Sequence, residues 1–105
     1  MLSRPWTLHH YLENEADMTA HFDTVYADFT LNFYESGNFT QTYLYNGISP
    51  YSKTGTWKFL NVVNQIQLTD DVQSVIYNIN TLTESTFDFE HTEVGILKQY
   101  VMISK

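Results

Sequence analysis

The sequence predicts an all-β fold, an antiparallel up-and-down meander of about eight strands closed into a small barrel. Three observations favour this class. Aromatic residues make up 16% of the chain and, with Thr, Val and Ile, prefer strands. Apolar and polar residues alternate through most segments, without a long 3.6-residue period. Short clusters of turn-forming residues separate the segments. Closure is expected because it removes the exposed edges of an open sheet.

The size and charge of the chain limit its possible functions. Its 105 residues predict one domain over 1–105, because a second core needs roughly another 50 residues. Acidic residues outnumber basic ones by 12 to 5, and the net charge of −7 argues against nucleic acid or anionic membranes as partners. Cysteine is absent, which removes disulfides and thiolate sites. The pattern predicts no transmembrane segment, no signal peptide in this chain and no cofactor.

The first half of the chain contains the clearest strand, residues 25–34, which is followed by a turn at Gly37 and a return strand at 39–45. The apolar side chains expected to point inward from the first strand are Val25, Ala27, Phe29, Leu31 and Phe33. Those sharing one face of the second are Phe39, Gln41, Tyr43 and Tyr45. The pattern also predicts an earlier strand at residues 6–12 and a loop or one helical turn at residues 13–23.

The second half repeats this pattern after a predicted loop at residues 46–50. The strands predicted here cover residues 53–60, 62–68, 73–80, 86–91 and 96–104. The inward side chains of the first four are expected to be Trp57, Phe59, Ile66, Leu68, Val75, Tyr77, Ile79, Phe87 and Phe89. Both faces of the last strand are apolar, so the alternation does not orient it.

The inward aromatic side chains and one amide form the candidate ligand-binding set. Its members are Phe29, Phe33, Phe39, Gln41, Tyr43, Trp57, Tyr77, Phe87 and Phe89. One interpretation is a packed core, which is the commoner fate of inward rings. The other is a pocket in which rings surround a small hydrophobic ligand and a few polar groups orient it. Gln41 favours the pocket, because an inward amide needs a hydrogen-bond partner.

A second candidate surface is a stripe of tyrosines on the outside of the barrel. Alternation places Tyr26, Thr30 and Tyr34 on the outer face of the strand at 25–34, continuing toward Tyr45 and Tyr51. Rings offer contact area at a low entropic cost, so the stripe could contact a protein or a glycan. Ordinary cross-strand pairing explains the pattern equally well.

Patterns that would support catalysis or metal binding are weak. His9 and His10 are adjacent on a predicted strand, so they are expected to lie on opposite faces and not to share an ion. Asp88 and Glu90 share a face, but that face is expected to be solvated, where neither carboxyl pKa would rise. The sequence has no nucleophile elbow and no glycine-rich phosphate loop. We therefore expect no enzymatic activity and no metal site.

Several segments, taken in order, resemble the small lipocalin-like domains of Bacteroidetes envelope proteins. These segments are residues 6–8, 31–39, 54–59, 66–68 and 77–83. They supply a tryptophan in the first strand, a Phe-to-Phe hairpin around Gly37, a Gly-x-Trp strand at Gly55 and a late Ile-x-x-Leu-Thr stretch. One departure is Arg4, which stands where the family usually has glycine.

The resemblance covers nearly the whole chain and implies an eight-stranded barrel. It also implies a protein of the cell envelope or a secreted protein, without enzymatic activity. The function expected from it is binding of a small apolar or amphipathic molecule in the barrel. The alternative is a barrel with a filled core that acts as a protein- or glycan-interaction module.

Overall fold

Eight long antiparallel strands surround the core in the computed structural model, which describes residues 2–61 and 64–105. They are β1 (Pro5–Glu13), β3 (Tyr26–Phe33), β4 (Asn38–Tyr45), β5 (Ser49–Leu60), β6 (Gln65–Thr69), β7 (Ser74–Leu82), β8 (Thr86–Glu93) and β9 (Ile96–Ser104). Each pairs with the next, and β1 pairs with both β3 and β9. The predicted closed meander is therefore confirmed. Val62 and Val63, part of the predicted strand at 62–68, lie outside the described residues.

The connection from β1 to β3 contains two short elements, β2 (Ala16–Asp17) and α1 (Thr19–Val25). The Asp17 carboxylate accepts hydrogen bonds from the Thr19 N–H (2.9 Å) and hydroxyl (2.6 Å) at the start of the helix. Phe22 is the buried residue of α1, and its ring lies 4.6 Å from that of Tyr11 and 5.2 Å from that of Phe29. The helix thus covers part of one barrel end, where the sequence predicted a loop or a single turn.

Three irregularities interrupt the strand pairing of the described residues. The register shifts between Leu8 and His10, between Ala27 and Thr30, and between Ile79 and Thr81. At the second, Asp28 adopts a φ of 56°, which short polar residues tolerate better than most. Here β3 has one more residue than β4, which reverses the in–out alternation of the residues that precede Asp28. Tyr26 therefore points inward, with its ring 4.9 Å from Phe22.

The strand boundaries otherwise follow the sequence pattern closely. One difference is that β5 begins at Ser49, inside the loop predicted at 46–50. The turn is shortened because Asn46 and Gly47 both take positive φ (53° and 74°). In β9 the undetermined orientation is resolved, since Tyr100 pairs with Phe89 and Met102 with Phe87 on the inner face. Within the described residues, no helix is long and apolar enough to cross a membrane.

One end of the barrel is filled by large side chains, and we call it the closed end. The rings of Trp6 and Phe87 lie 5.7 Å apart, and that of Phe33 lies 5.9 Å from Phe87. Trp6 and Met102 are completely buried. The indole N–H of Trp6 donates to the Leu2 carbonyl at 3.0 Å, so the polar atom of this buried ring is satisfied. The closed end is therefore tightly packed.

Candidate functional site

The other end of the barrel, which we call the mouth, contains a half-open cavity of about 410 Å³. The mouth is where β1, β4, β6 and β8 end and β3, β5, β7 and β9 begin. Leu31, which is buried, lies among the lining residues. The aromatic residues that line the cavity are Tyr11, Phe22, Tyr26, Phe29, Tyr43, Tyr77, Phe89 and Tyr100. The volume falls within the usual range for small-molecule sites.

The structure divides the nine candidate residues between the two ends. Five of them line the cavity: Phe29, Gln41, Tyr43, Tyr77 and Phe89. The other four pack outside it, toward the closed end: Phe33, Phe39, Trp57 and Phe87. Alternation identifies the inward face of a strand but not the height of a residue along the barrel. The sequence therefore grouped residues that the fold separates.

The deep wall of the cavity is a set of rings in mutual contact. The rings of Phe89 and Tyr100 stack at 5.1 Å, and Tyr77 meets Phe89 edge-on at 5.1 Å. Burial raises the pKa of Tyr77 to about 12 and raises that of Tyr100 as well. Both phenols therefore stay protonated at neutral pH. The wall is apolar over the ring faces and offers hydroxyl donors at their edges.

Charged and polar groups concentrate near the rim of the cavity. The Tyr11 hydroxyl donates to Glu13 at 2.8 Å, while Lys98 Nζ lies 3.0 Å from Glu93 on the neighbouring strand. Lys98 holds the pKa of the Glu93 carboxyl below its ordinary value. Across the mouth, Lys53 Nζ lies 3.1 Å from Asp70. These groups give the cavity a polar rim above its aromatic wall.

His91 lies between the rim and the wall. Its Nε2 is 3.8 Å from Glu93, and its ring centroid is 4.6 Å from that of Tyr77. Only 12% of its side chain is exposed, and Nδ1 is buried without a hydrogen-bond partner among the described residues. Burial lowers the pKa of His91, so the imidazole is neutral at pH 7. The part of His91 that lines the cavity is therefore an uncharged ring.

The sequence prediction missed the polar residues on β8 and β9 for identifiable reasons. The alternation through Phe87 and Phe89 continues inward to His91 and Glu93, but the predicted strand ended at residue 91. Lys98 and Tyr100 lie on the strand whose orientation the pattern did not fix. Extending the alternation of β8 by one further residue pair would have found Glu93.

Two expectations about exposed residues are wrong. The rings of His9 and His10 lie only 4.1 Å apart, because the register shift between Leu8 and His10 breaks the alternation that was to separate them. Even so, no group of three or more metal-ligating side chains occurs within residues 2–61 and 64–105. The tyrosine stripe is also interrupted, since Tyr26 lines the cavity and Thr30 is buried.

The acidic pair Asp88 and Glu90 lies on the outer wall. The Asn80 side-chain amide donates to both carboxylates, and that of Gln99 donates to Asp88 at 2.9 Å. These bonds tie the carboxylates to neighbouring strands, away from the cavity. The pair does not form a catalytic cleft.

Comparison with known proteins gives consistent results. The family model described as a lipocalin-like domain matches residues 4–89. A lipocalin-like protein from Bacteroides uniformis has a similar structure, with a TM-score of 0.76 at 12% identity over 99% of this chain and 98% of that one. An uncharacterised protein from Bacteroides eggerthii aligns with a TM-score of 0.73 at 12% identity over the full length of both chains. No curated protein matches the sequence.

Proposed function

Because the chain belongs to the lipocalin-like domain family, we propose that it binds a small apolar or amphipathic molecule in the mouth cavity and catalyses no reaction. The observation that carries this proposal is the cavity of about 410 Å³, which has a wall of rings and a polar rim. Such a site excludes water from an apolar body and offers hydrogen bonds to a polar end. An amphipathic molecule with its apolar part against Phe89 and Tyr100 matches this distribution.

The main rival is a barrel with a filled core that acts only through its outer surface. The cavity argues against that rival, since Gln41 and Tyr77 line open space. Inward polar atoms beside open space are suited to partners that enter from outside.

The pKa shifts of two carboxylates near the mouth argue against a carboxylic general acid at these positions, in keeping with the proposed absence of catalysis. Hydrogen bonds from backbone N–H groups and from Lys53 lower the pKa of Asp70, and Lys98 lowers that of Glu93. A general acid at neutral pH needs a raised carboxyl pKa. Family resemblance extends the proposal to a cell-envelope or secreted location.

The proposal is tested by filling the cavity. Val75 lines it, whereas the next residue, Ile76, is 47% exposed on the outer wall. Val75→Trp should occupy the space a ligand needs, and Ile76→Trp is the matched control on the same strand. The probe is a neutral naphthylamine dye whose fluorescence rises in apolar surroundings. Its binding would be titrated for the wild-type protein and both variants.

We expect saturable dye binding in the wild-type protein, unchanged binding for Ile76→Trp and a loss of roughly tenfold or more for Val75→Trp. Circular dichroism would establish that both variants are folded. Dye binding that is equal in all three proteins would place the dye on the outer surface and contradict the proposal. Absence of binding in the wild-type protein would contradict it as well.

A further inference from the structure

Among residues 2–61 and 64–105, the three most exposed large apolar side chains are Ile48 (81% exposed), Val72 (91%) and Val94 (94%). Each lies in a turn: Ile48 between β4 and β5, Val72 between β6 and β7, and Val94 between β8 and β9. All three turns are at the mouth. Successive hairpins are two strands apart, roughly 10 Å along the rim. Branched aliphatic side chains thus project at intervals around the cavity opening.

Val94 is placed against its conformational preference. It has a φ of 52° and the following Gly95 a φ of 77°, as in a type I′ turn. Asn, Asp and Gly are favoured at such positions, and a β-branched residue there is a clear outlier. Because its side chain is almost fully exposed, no packing within the described residues compensates for the strain. Folding therefore does not explain the choice of valine.

The other two turns are stabilised by hydrogen bonds that their main-chain N–H groups donate. Both Val72 N–H and Gln73 N–H donate to the Asp70 carboxylate, at 2.8 and 3.0 Å. The Ile48 N–H donates to the Tyr45 carbonyl at 3.0 Å. The aliphatic side chains are not needed for these bonds. Their shared position around an opening suggests contact with something outside the molecule.

The distribution of the three side chains favours a lipid surface over a protein partner. Together they offer a few hundred Å² in separate points, whereas a specific protein interface buries roughly 800 Å² per partner. A fluid lipid interface can accept separate points of insertion. The flanking charges favour an uncharged membrane over an anionic one. Asp70 and Glu93 are paired with Lys53 and Lys98, but Asp71 beside Val72 is exposed and has no ion pair among the described residues, and the chain carries −7 overall.

We propose that Ile48, Val72 and Val94 insert into the interface of a lipid bilayer of zwitterionic composition, with the cavity facing the membrane. In this orientation the bilayer seals the mouth against water, and an apolar molecule can pass between the two without crossing solvent. Membrane contact is measured without any ligand. Its failure would therefore leave the ligand-binding proposal standing, and the reverse also holds.

The test is sedimentation of the protein with phosphatidylcholine vesicles. The variants are Val94→Asn, the triple change Ile48→Ser, Val72→Ser and Val94→Asn, and the control Ile103→Ser, whose residue is exposed on β9 near the closed end. Val94→Asn is informative because asparagine suits the turn, so a loss of binding cannot come from unfolding. Size-exclusion chromatography over a range of concentrations accompanies each measurement.

We expect the wild-type protein and Ile103→Ser to partition equally into neutral vesicles. Val94→Asn should lower the partition coefficient roughly fivefold to tenfold, and the triple variant should abolish sedimentation. Adding phosphatidylglycerol should weaken binding because of the net negative charge. Wild-type protein that stays in solution, or a triple variant that still binds, would overturn the proposal. So would concentration-dependent dimerisation that the triple variant removes, because the side chains would then contact a second copy.

Discussion

Gly55 lies on β5 at a point where a neighbouring strand leaves no room for a Cβ. A Cβ built on it would lie 2.1 Å from the Thr69 carbonyl oxygen and 2.7 Å from the Phe39 ring. The nearest atom is backbone, which cannot move aside cheaply. We expect Gly55→Ala to lower the free energy of unfolding by about 2–3 kcal/mol in a denaturant titration.

The control for this prediction is Gly47→Ala. Nothing lies within 4 Å of a Cβ at Gly47, so only its positive φ is strained. Its cost should be about 1 kcal/mol. If Gly55→Ala proves as stable as Gly47→Ala, then β5 and β6 do not approach each other as closely as the structure shows.

His91 makes stability depend on pH. Its folded pKa lies below the ordinary value of 6.5, because burial disfavours the charged ring. Just below pH 6.5 the unfolded chain therefore binds a proton that the folded protein does not. Stability is full above that pH and falls as the pH drops toward the folded pKa. Thermal unfolding between about pH 7.5 and about pH 5 should show this decline.

Replacing the ring should flatten the curve. His91→Gln is expected to remove most of the decline, whereas His9→Gln, at an exposed side chain, should leave it unchanged. Loss of stability at still lower pH is expected in all three proteins, because Asp17, Asp70 and Glu93 have lowered pKa values. A curve for His91→Gln that parallels the wild-type curve would show that other groups cause the decline.

In the turn between β8 and β9, the residue type conflicts with the backbone conformation. Val94 takes a φ of 52° without packing to compensate. We expect Val94→Asn to raise the free energy of unfolding by about 1 kcal/mol, since asparagine tolerates this conformation. The melting temperature reports the change. A lower melting temperature would mean that Val94 contributes to folding after all.

At the level of strands, alternation predicted the barrel well but failed wherever the register shifts. The strand at 25–34 was assigned correctly for Phe29, Leu31 and Phe33, which are buried. The assignment failed for the residues before Asp28, because the extra residue in β3 turns Tyr26 inward. No local signal marked this site, because a positive φ at aspartate depends on the strands that pair around it. Similarly, α1 is short and owes its place to Phe22 packing on Tyr11 and Phe29.

Arg4 stands where lipocalin-like domains usually have glycine, and the structure shows where its long side chain goes. Its guanidinium donates to the Glu84 carbonyl at 2.7 Å, across the closed end. The adjacent indole of Trp6 remains fully buried. The sequence showed the substitution but not its partner, which is 80 residues away in the chain. Such a contact follows only from the closure of β1 on β9.

The whole molecule is divided between a filled end and an end with a cavity. Phe33, Phe39 and Met102 are almost completely inaccessible, whereas Tyr43 and Tyr77 border open space. Packing is what resists local opening, because few contacts are lost where a wall already faces a void. The two ends should therefore differ in stability although every strand runs through both.

Native-state hydrogen exchange should reveal this division. We expect the amides of Phe39 and Met102 to exchange at least roughly tenfold more slowly than those of Tyr43 and Val75, which belong to the same barrel but border the cavity. A saturating apolar dye should slow exchange at the second pair and leave the first pair unchanged, because a ligand stabilises the elements that it contacts. Uniform protection from end to end, unaffected by the dye, would mean that the barrel opens only as a unit and that the cavity end has no lower stability of its own.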